Sequence, residues 1–93
     1  MFGLSTKIYE QIIDTIKKYN LEFVIFGSRA RGDYKANSDI DIAILGKTDE
    51  KTEYDIRNEF DKLDIPYTID LVFVNKGIGK ELEESIKKEG VKL

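Results

Sequence analysis

The sequence has no cysteine and no histidine. Without cysteine there is no disulfide and no thiol chemistry. Without histidine the chain lacks the commonest general base and the commonest zinc ligand. A metal bound here would have to be a hard cation held by oxygens. Proline is scarce too, and Pro66 stands alone. No apolar run is long enough to span a bilayer. The N-terminus lacks the charged segment, apolar segment and small-residue cleavage site of a signal peptide. A cytoplasmic location without membrane attachment is the default expectation. Positive charge is not in excess: 15 Lys and Arg face 18 Asp and Glu, for a net charge of -3. That balance argues against general nucleic-acid binding through charge, although a local basic patch is compatible with it.

What is present fits one domain. A chain of 93 residues holds one core and one catalytic centre, with little room for a separate substrate domain. No internal repeat, low-complexity tract or linker interrupts residues 1–93. Residues 5–19 read as a helix, because Ile8, Ile12, Ile16 and Tyr19 recur at helical spacing. Ser5 or Thr6 can cap its start and Asn20 can end it. Residues 22–26 are a short apolar run that suits a buried strand. Residues 28–32 should turn into a short helix, and the polar stretch 33–37 reads as a loop. Residues 39–45 read as a second strand, with Asp39, Asp41 and Ala43 on one face and Ile40, Ile42 and Ile44 on the other. Residues 51–63 read as a helix. Residues 67–74 read as a third strand, after the break at Pro66. A last helix follows Gly77 and Gly79 and ends at Gly90. The expected fold class is therefore α+β, a two-layer arrangement in which helices cover a small mixed sheet of three to four strands.

The chemistry concentrates in Gly27-Ser28-Arg29-Ala30-Arg31-Gly32 and in Ser38-Asp39-Ile40-Asp41. Asp39 and Asp41 are two apart on a strand, so their side chains share a face with Cα atoms about 6.6 Å apart. That spacing lets both converge on one or two magnesium ions. Asp70 sits between Ile69 and Leu71. A carboxylate in an apolar run is costly unless it is paired or bound to a cation. If its strand neighbours the second strand, Asp70 completes a three-carboxylate cluster. Otherwise it pairs with a Lys or Arg. Gly27 allows a backbone closed to other residues, and Ser28 offers a hydroxyl and an amide where a helix begins. Alone, a Gly-Ser pair is weak evidence, since it is common in turns. Its conjunction with Asp-x-Asp is strong evidence. Arg29 and Arg31 either meet phosphates or an acidic partner surface, or are simply solvated. Ser38 either braces the start of the second strand or bonds an aspartate. Tyr34 could stack on a base, but exposed loop tyrosines are common. The charges from Glu81 to Glu89 read as a solvated helix face.

Gly27-Ser28, a ten-residue gap and Asp39-Ile40-Asp41, with Asp70 downstream, resemble the signature of the nucleotidyltransferase family whose best-known relative is DNA polymerase beta. The likeness runs from about residue 5 to residue 90, and the length resembles that of the minimal nucleotidyltransferases. The resemblance implies a polymerase beta-like core in which Asp39 and Asp41 ligate two Mg2+ ions and Asp70 binds the one nearer the acceptor. It implies that Gly27, Ser28 and the turn, with Arg29 and Ser38 beside them, bind the nucleotide. Minimal members commonly act as antitoxins to a helical HEPN toxin. The implied reaction moves AMP from ATP, as substrate, to a toxin tyrosine. Two rival readings stand beside it. One is a non-catalytic antitoxin that neutralises its partner by contact alone. The other is an oxygen-rich structural cation site.

Overall fold

The computed structural model describes residues 1–93, with the side chain of Lys76 outside the description. Helix α1 (Thr6–Ile16) begins at Ser5, whose side-chain oxygen accepts from the Ile8 amide. This satisfies one of the four N–H groups that a helix start leaves without a partner. The helix stops at Ile16, earlier than Asn20. Residues 17–19 continue as turns, closed by Lys18 N–H to Thr15 O and Tyr19 N–H to Ile16 O. Strand β1 (Glu22–Phe26) follows, then the one-turn helix α2 (Ser28–Arg31), strand β2 (Ile40–Leu45) and helix α3 (Glu50–Asp61). Asp49 caps α3 by accepting from the Thr52 amide at 2.8 Å. Strand β3 (Ile69–Phe73) leads through one 3₁₀ turn, Val74–Lys76, to helix α4 (Lys80–Glu89). A two-residue strand, β4 (Val91–Lys92), ends the order, and it has no counterpart among the elements read from the residues.

The four strands form one sheet in the order β3-β2-β1-β4. β1 is antiparallel to both β2 and β4, while β2 and β3 run parallel with α3 as their crossover. The sheet is mixed and the fold is α+β, as expected. Because side chains alternate along each strand, register decides what shares a face. Phe23, Ile25, Ile40, Ile42, Ile44 and Phe73 face α1 and α3 and form the main core with Ile12, Ile16, Ile56 and Phe60. Each such side chain contributes roughly 1.5–3 kcal/mol by leaving water. The opposite face carries Val24, Phe26 and Ala43, covered by Ile86 of α4 with Leu82 and Ile78. Helices thus pack on both faces, so the sheet is the middle of three layers and not one of the two expected. The face under α4 also carries Asp41 and Asp70. No helix among the described residues is long and apolar enough to cross a membrane.

Candidate active site

Gly27 follows β1 directly, and its φ is +75°. A side chain rarely tolerates that conformation. A Cβ at this position would also collide with the Asp41 carboxylate. Glycine is therefore required twice, by the backbone and by how closely the turn approaches Asp41. Ser28 opens α2, and Gly32 closes it at φ +95° with its N–H bonded to Ser28 O at 2.9 Å.

The parallel register of β2 and β3 places Asp41 directly beside Asp70, and the antiparallel register of β1 places Phe26 on its other side. Asp39 lies one residue ahead of β2 and is exposed, as is Asp70, whereas Asp41 is half-buried. Asp41's carboxyl is pushed above the usual carboxylate range. Burial is the main cause, followed by the negative charges of Asp70 and Asp39 and by the hydrogen bond that protonated Asp41 donates to the Asp70 carboxylate, while Arg31 pulls the other way. The three carboxylates singled out in the sequence are thus brought near enough to act on one another. Among the described residues no group of three or more acidic side chains is arranged as a ready cage for a metal ion. The donor set is all carboxylate, which suits a hard divalent cation. A cation between Asp41 and Asp70 would relieve the crowding that holds the Asp41 proton. On that observation the residues fit a divalent ion, with Asp41 and Asp70 as the closest pair.

The two arginines of α2 separate completely. Positions two apart on a helix point about 200° from each other, so one must face inward. Arg31 faces out. It donates to Glu89 of α4 at 2.8 Å and to Asp33 at 3.3 Å, and its charge reaches Asp41. Glu89 is accordingly a tether for α2 and not simply part of a solvated face. Arg29 faces in and departs from the exposed arginine expected for phosphate contact. Only 2% of it is exposed. Its guanidinium donates twice to the Ser38 carbonyl, at 3.1 and 2.9 Å, and once to the Phe2 carbonyl at 3.0 Å. The rings of Tyr67 and Tyr34 lie 4.5 and 5.3 Å from it. Tyr34 therefore stacks on an arginine of its own chain. The Ser38 hydroxyl accepts from the Lys35 amide at 2.7 Å, bracing the loop ahead of Asp39. Burial of Arg29 against Phe2 and Tyr67 depends on contacts remote in sequence. The 200° offset was the one local signal of it.

Residues 10–93 match the Polbeta family, described as polymerase beta, nucleotidyltransferase. No match to a curated protein sequence was found. Among solved structures, one of a toxin–antitoxin with AMP-PNP superposes with a TM-score of 0.67 at 23% identity, over 89% of this chain and 69% of that one. A mutant form of the MntA–HpeT toxin–antitoxin gives 0.62 at 18% identity, over 91% of this chain and 70% of that one. A putative nucleotidyltransferase from Sulfolobus solfataricus gives 0.53 at 24% identity, over 92% of this chain and 76% of that one. At these identities the structures speak to the fold, which is the same. The family match spans nearly the whole sequence: the chain belongs to the polymerase beta nucleotidyltransferase family.

Proposed function

We propose that this chain is a Mg2+-dependent nucleotidyltransferase that moves AMP from ATP to a tyrosine hydroxyl of a HEPN-type toxin, and so acts as its antitoxin. The observation that carries the reading is the placement of Asp41 in register with Asp70 and against the Gly27 turn. A glycine turn able to approach a triphosphate and a carboxylate pair on adjacent strands suit metal-assisted attack on a phosphorus atom. The solved relatives include a toxin–antitoxin with AMP-PNP, which supports both the nucleotide and the kind of partner.

Asp41 and Asp70, with Asp39, would hold the divalent ions. Bound there, such ions neutralise charge on the triphosphate and lower the pKa of the acceptor hydroxyl. The Gly27-Ser28 turn would hold the triphosphate through main-chain amides, which glycine allows to come close. Ser38 and its loop keep Asp39 at the mouth of the site. Asp70 is on β3, an edge strand, and is exposed, so an acceptor can reach it from outside the sheet. Asp70 takes the tyrosine proton or passes it to water. The tyrosine oxygen then forms a bond to the α-phosphorus, and the bond between that phosphorus and the bridging oxygen toward the β-phosphorus breaks. Pyrophosphate leaves. A tyrosine hydroxyl has a reference pKa of about 10, so this assistance is needed at neutral pH.

Mass spectrometry of a co-expressed cognate toxin tests the reading. An AMP adduct on a toxin tyrosine that vanishes with Asp39→Asn is the expected result. An unmodified toxin, still neutralised by the Asp39→Asn chain, would establish inhibition by contact instead.

A further inference from the structure

Arg29 is the bulkiest of the fully buried side chains, and nothing in the proposed transfer uses it. Its partners have a pattern. Arg29 itself is two residues after Gly27. The carbonyl it grips twice belongs to Ser38, the residue immediately before Asp39. The ring it stacks on most closely, Tyr67, lies three residues before Asp70. The third carbonyl bond ties in Phe2 at the start of the chain. One guanidinium therefore joins the turn, the loop that delivers Asp39 and the segment that delivers Asp70. Next to it, Ile40 N–H donates to Thr68 O at 2.8 Å, so the start of β2 is also joined to the segment ahead of β3.

We infer that Arg29 is a positioning residue, a buried clamp that fixes Asp39 and Asp70 relative to the Gly27 turn and so sets the spacing of the metal-binding carboxylates. The planar fork is necessary. Two of its nitrogens reach one carbonyl and a third reaches another, while its flat face meets an aromatic ring. A lysine ammonium offers neither the fork nor the face. Burial strengthens each bond and forbids replacement by water. The inference rests on the nucleotidyltransferase reading for its catalytic consequence but not for the clamp itself.

The test compares the full chain with Arg29→Lys, Tyr67→Leu and Tyr67→Phe. Three quantities are read: hydrogen exchange in the peptide 33–40, the dissociation constant for Mn2+ alone by electron paramagnetic resonance, and the split of transfer into kcat and KM for ATP. Arg29→Lys should exchange at least tenfold faster over 33–40 with β1 unchanged. It should also bind Mn2+ at least tenfold more weakly and lose kcat more than it gains in KM. Tyr67→Leu should move the same way by less, and Tyr67→Phe, which keeps the stacking face, should behave as wild type. If Arg29→Lys fails to fold, Tyr67→Leu decides by the same readouts. Unchanged exchange over 33–40 overturns the clamp. Faster exchange with unchanged Mn2+ affinity overturns its role in spacing the carboxylates. A wild type that binds no Mn2+ and transfers nothing removes the nucleotidyltransferase reading, and the exchange result alone then decides the clamp.

Discussion

Asp41 is held where it resists its own ionisation, half-buried, beside Asp70 and under a turn that leaves no space for a Cβ. Its native pKa is raised, so the folded state binds that proton more tightly than the unfolded chain does. Stability of the metal-free protein therefore falls as pH climbs out of the ordinary carboxylate range through the native pKa, and stays lower above it. Asp41→Asn removes the charge. In chelator its Tm should exceed wild type at about pH 7, and the gap should shrink toward about pH 3. Its transfer activity should fall by at least about 100-fold, the scale on which lost electrostatic stabilisation is read. A variant less stable than wild type at neutral pH would contradict the crowding. Gly27→Ala should cost about 1–3 kcal/mol from its backbone alone, because φ +75° with ψ -157° is a region that essentially only glycine occupies. It should also displace Asp41, so Mn2+ affinity should drop with stability in the same protein. Asp70→Asn should lower kcat more than it weakens ATP binding, because Asp70 stands on the outer strand where the acceptor arrives. Parallel losses in kcat and ATP affinity would make it a simple binding ligand. At this scale alternation and glycine chemistry made Asp39, Asp41 and Gly27 candidates, although Asp39 lies ahead of β2 and not within it. The sequence did not disclose the side-by-side placement of Asp41 and Asp70, since parallel pairing joins residues far apart in the chain.

Among the elements, β2 carries both chemistries at once. Its odd-numbered positions face α4 and the site, and its even-numbered positions fill the core. Ile42 is completely buried, and Ile42→Ala should cost about 2–5 kcal/mol, with urea unfolding as the measure. Ile86→Ala, in the smaller cluster under α4, should fall at the lower end of that range. α3 starts on Asp49, whose bonds from Thr52 hold its carboxyl below the usual range. A depressed native pKa gives stability that is present above the unfolded value and lost as pH falls through the native one. Asn caps without titrating. Wild type should therefore be the more stable of the pair near neutrality, and the Tm difference from Asp49→Asn should vanish in acid. A difference independent of pH would mean that the cap charge contributes nothing. The long elements were legible because their apolar periods are strong. β4 was not, because two residues carry no period and Val91 and Lys92 become a strand only by pairing with Ile25 and Val24. The early end of α1 had no local signal either, as Lys17 to Tyr19 still fit helical spacing.

As a whole, the molecule is a mixed sheet whose two faces do different work. One is sealed by α1 and α3. The other is covered by α4, with the carboxylates at the end where β1 gives way to the Gly27 turn. The fold class followed from the order of elements, while the buried arginine and the tether from Arg31 to Glu89 arise only from the assembled chain. Neither link has a sequence period, because each joins a short helix to remote segments. The exposed position of Asp70 on an edge strand leaves room for an acceptor supplied by another protein, as the proposed reaction requires. The bond that breaks in ATP distinguishes this reaction from phosphoryl transfer. The decisive measurement incubates the chain and its cognate toxin with Mg2+ and with ATP labelled at either the α- or the γ-phosphorus. With the proposed reaction, α-label enters the toxin, γ-label appears only in pyrophosphate, and Asp41→Asn abolishes both. Transfer of γ-label to the toxin, or no transfer of α-label by the wild-type chain, would contradict it.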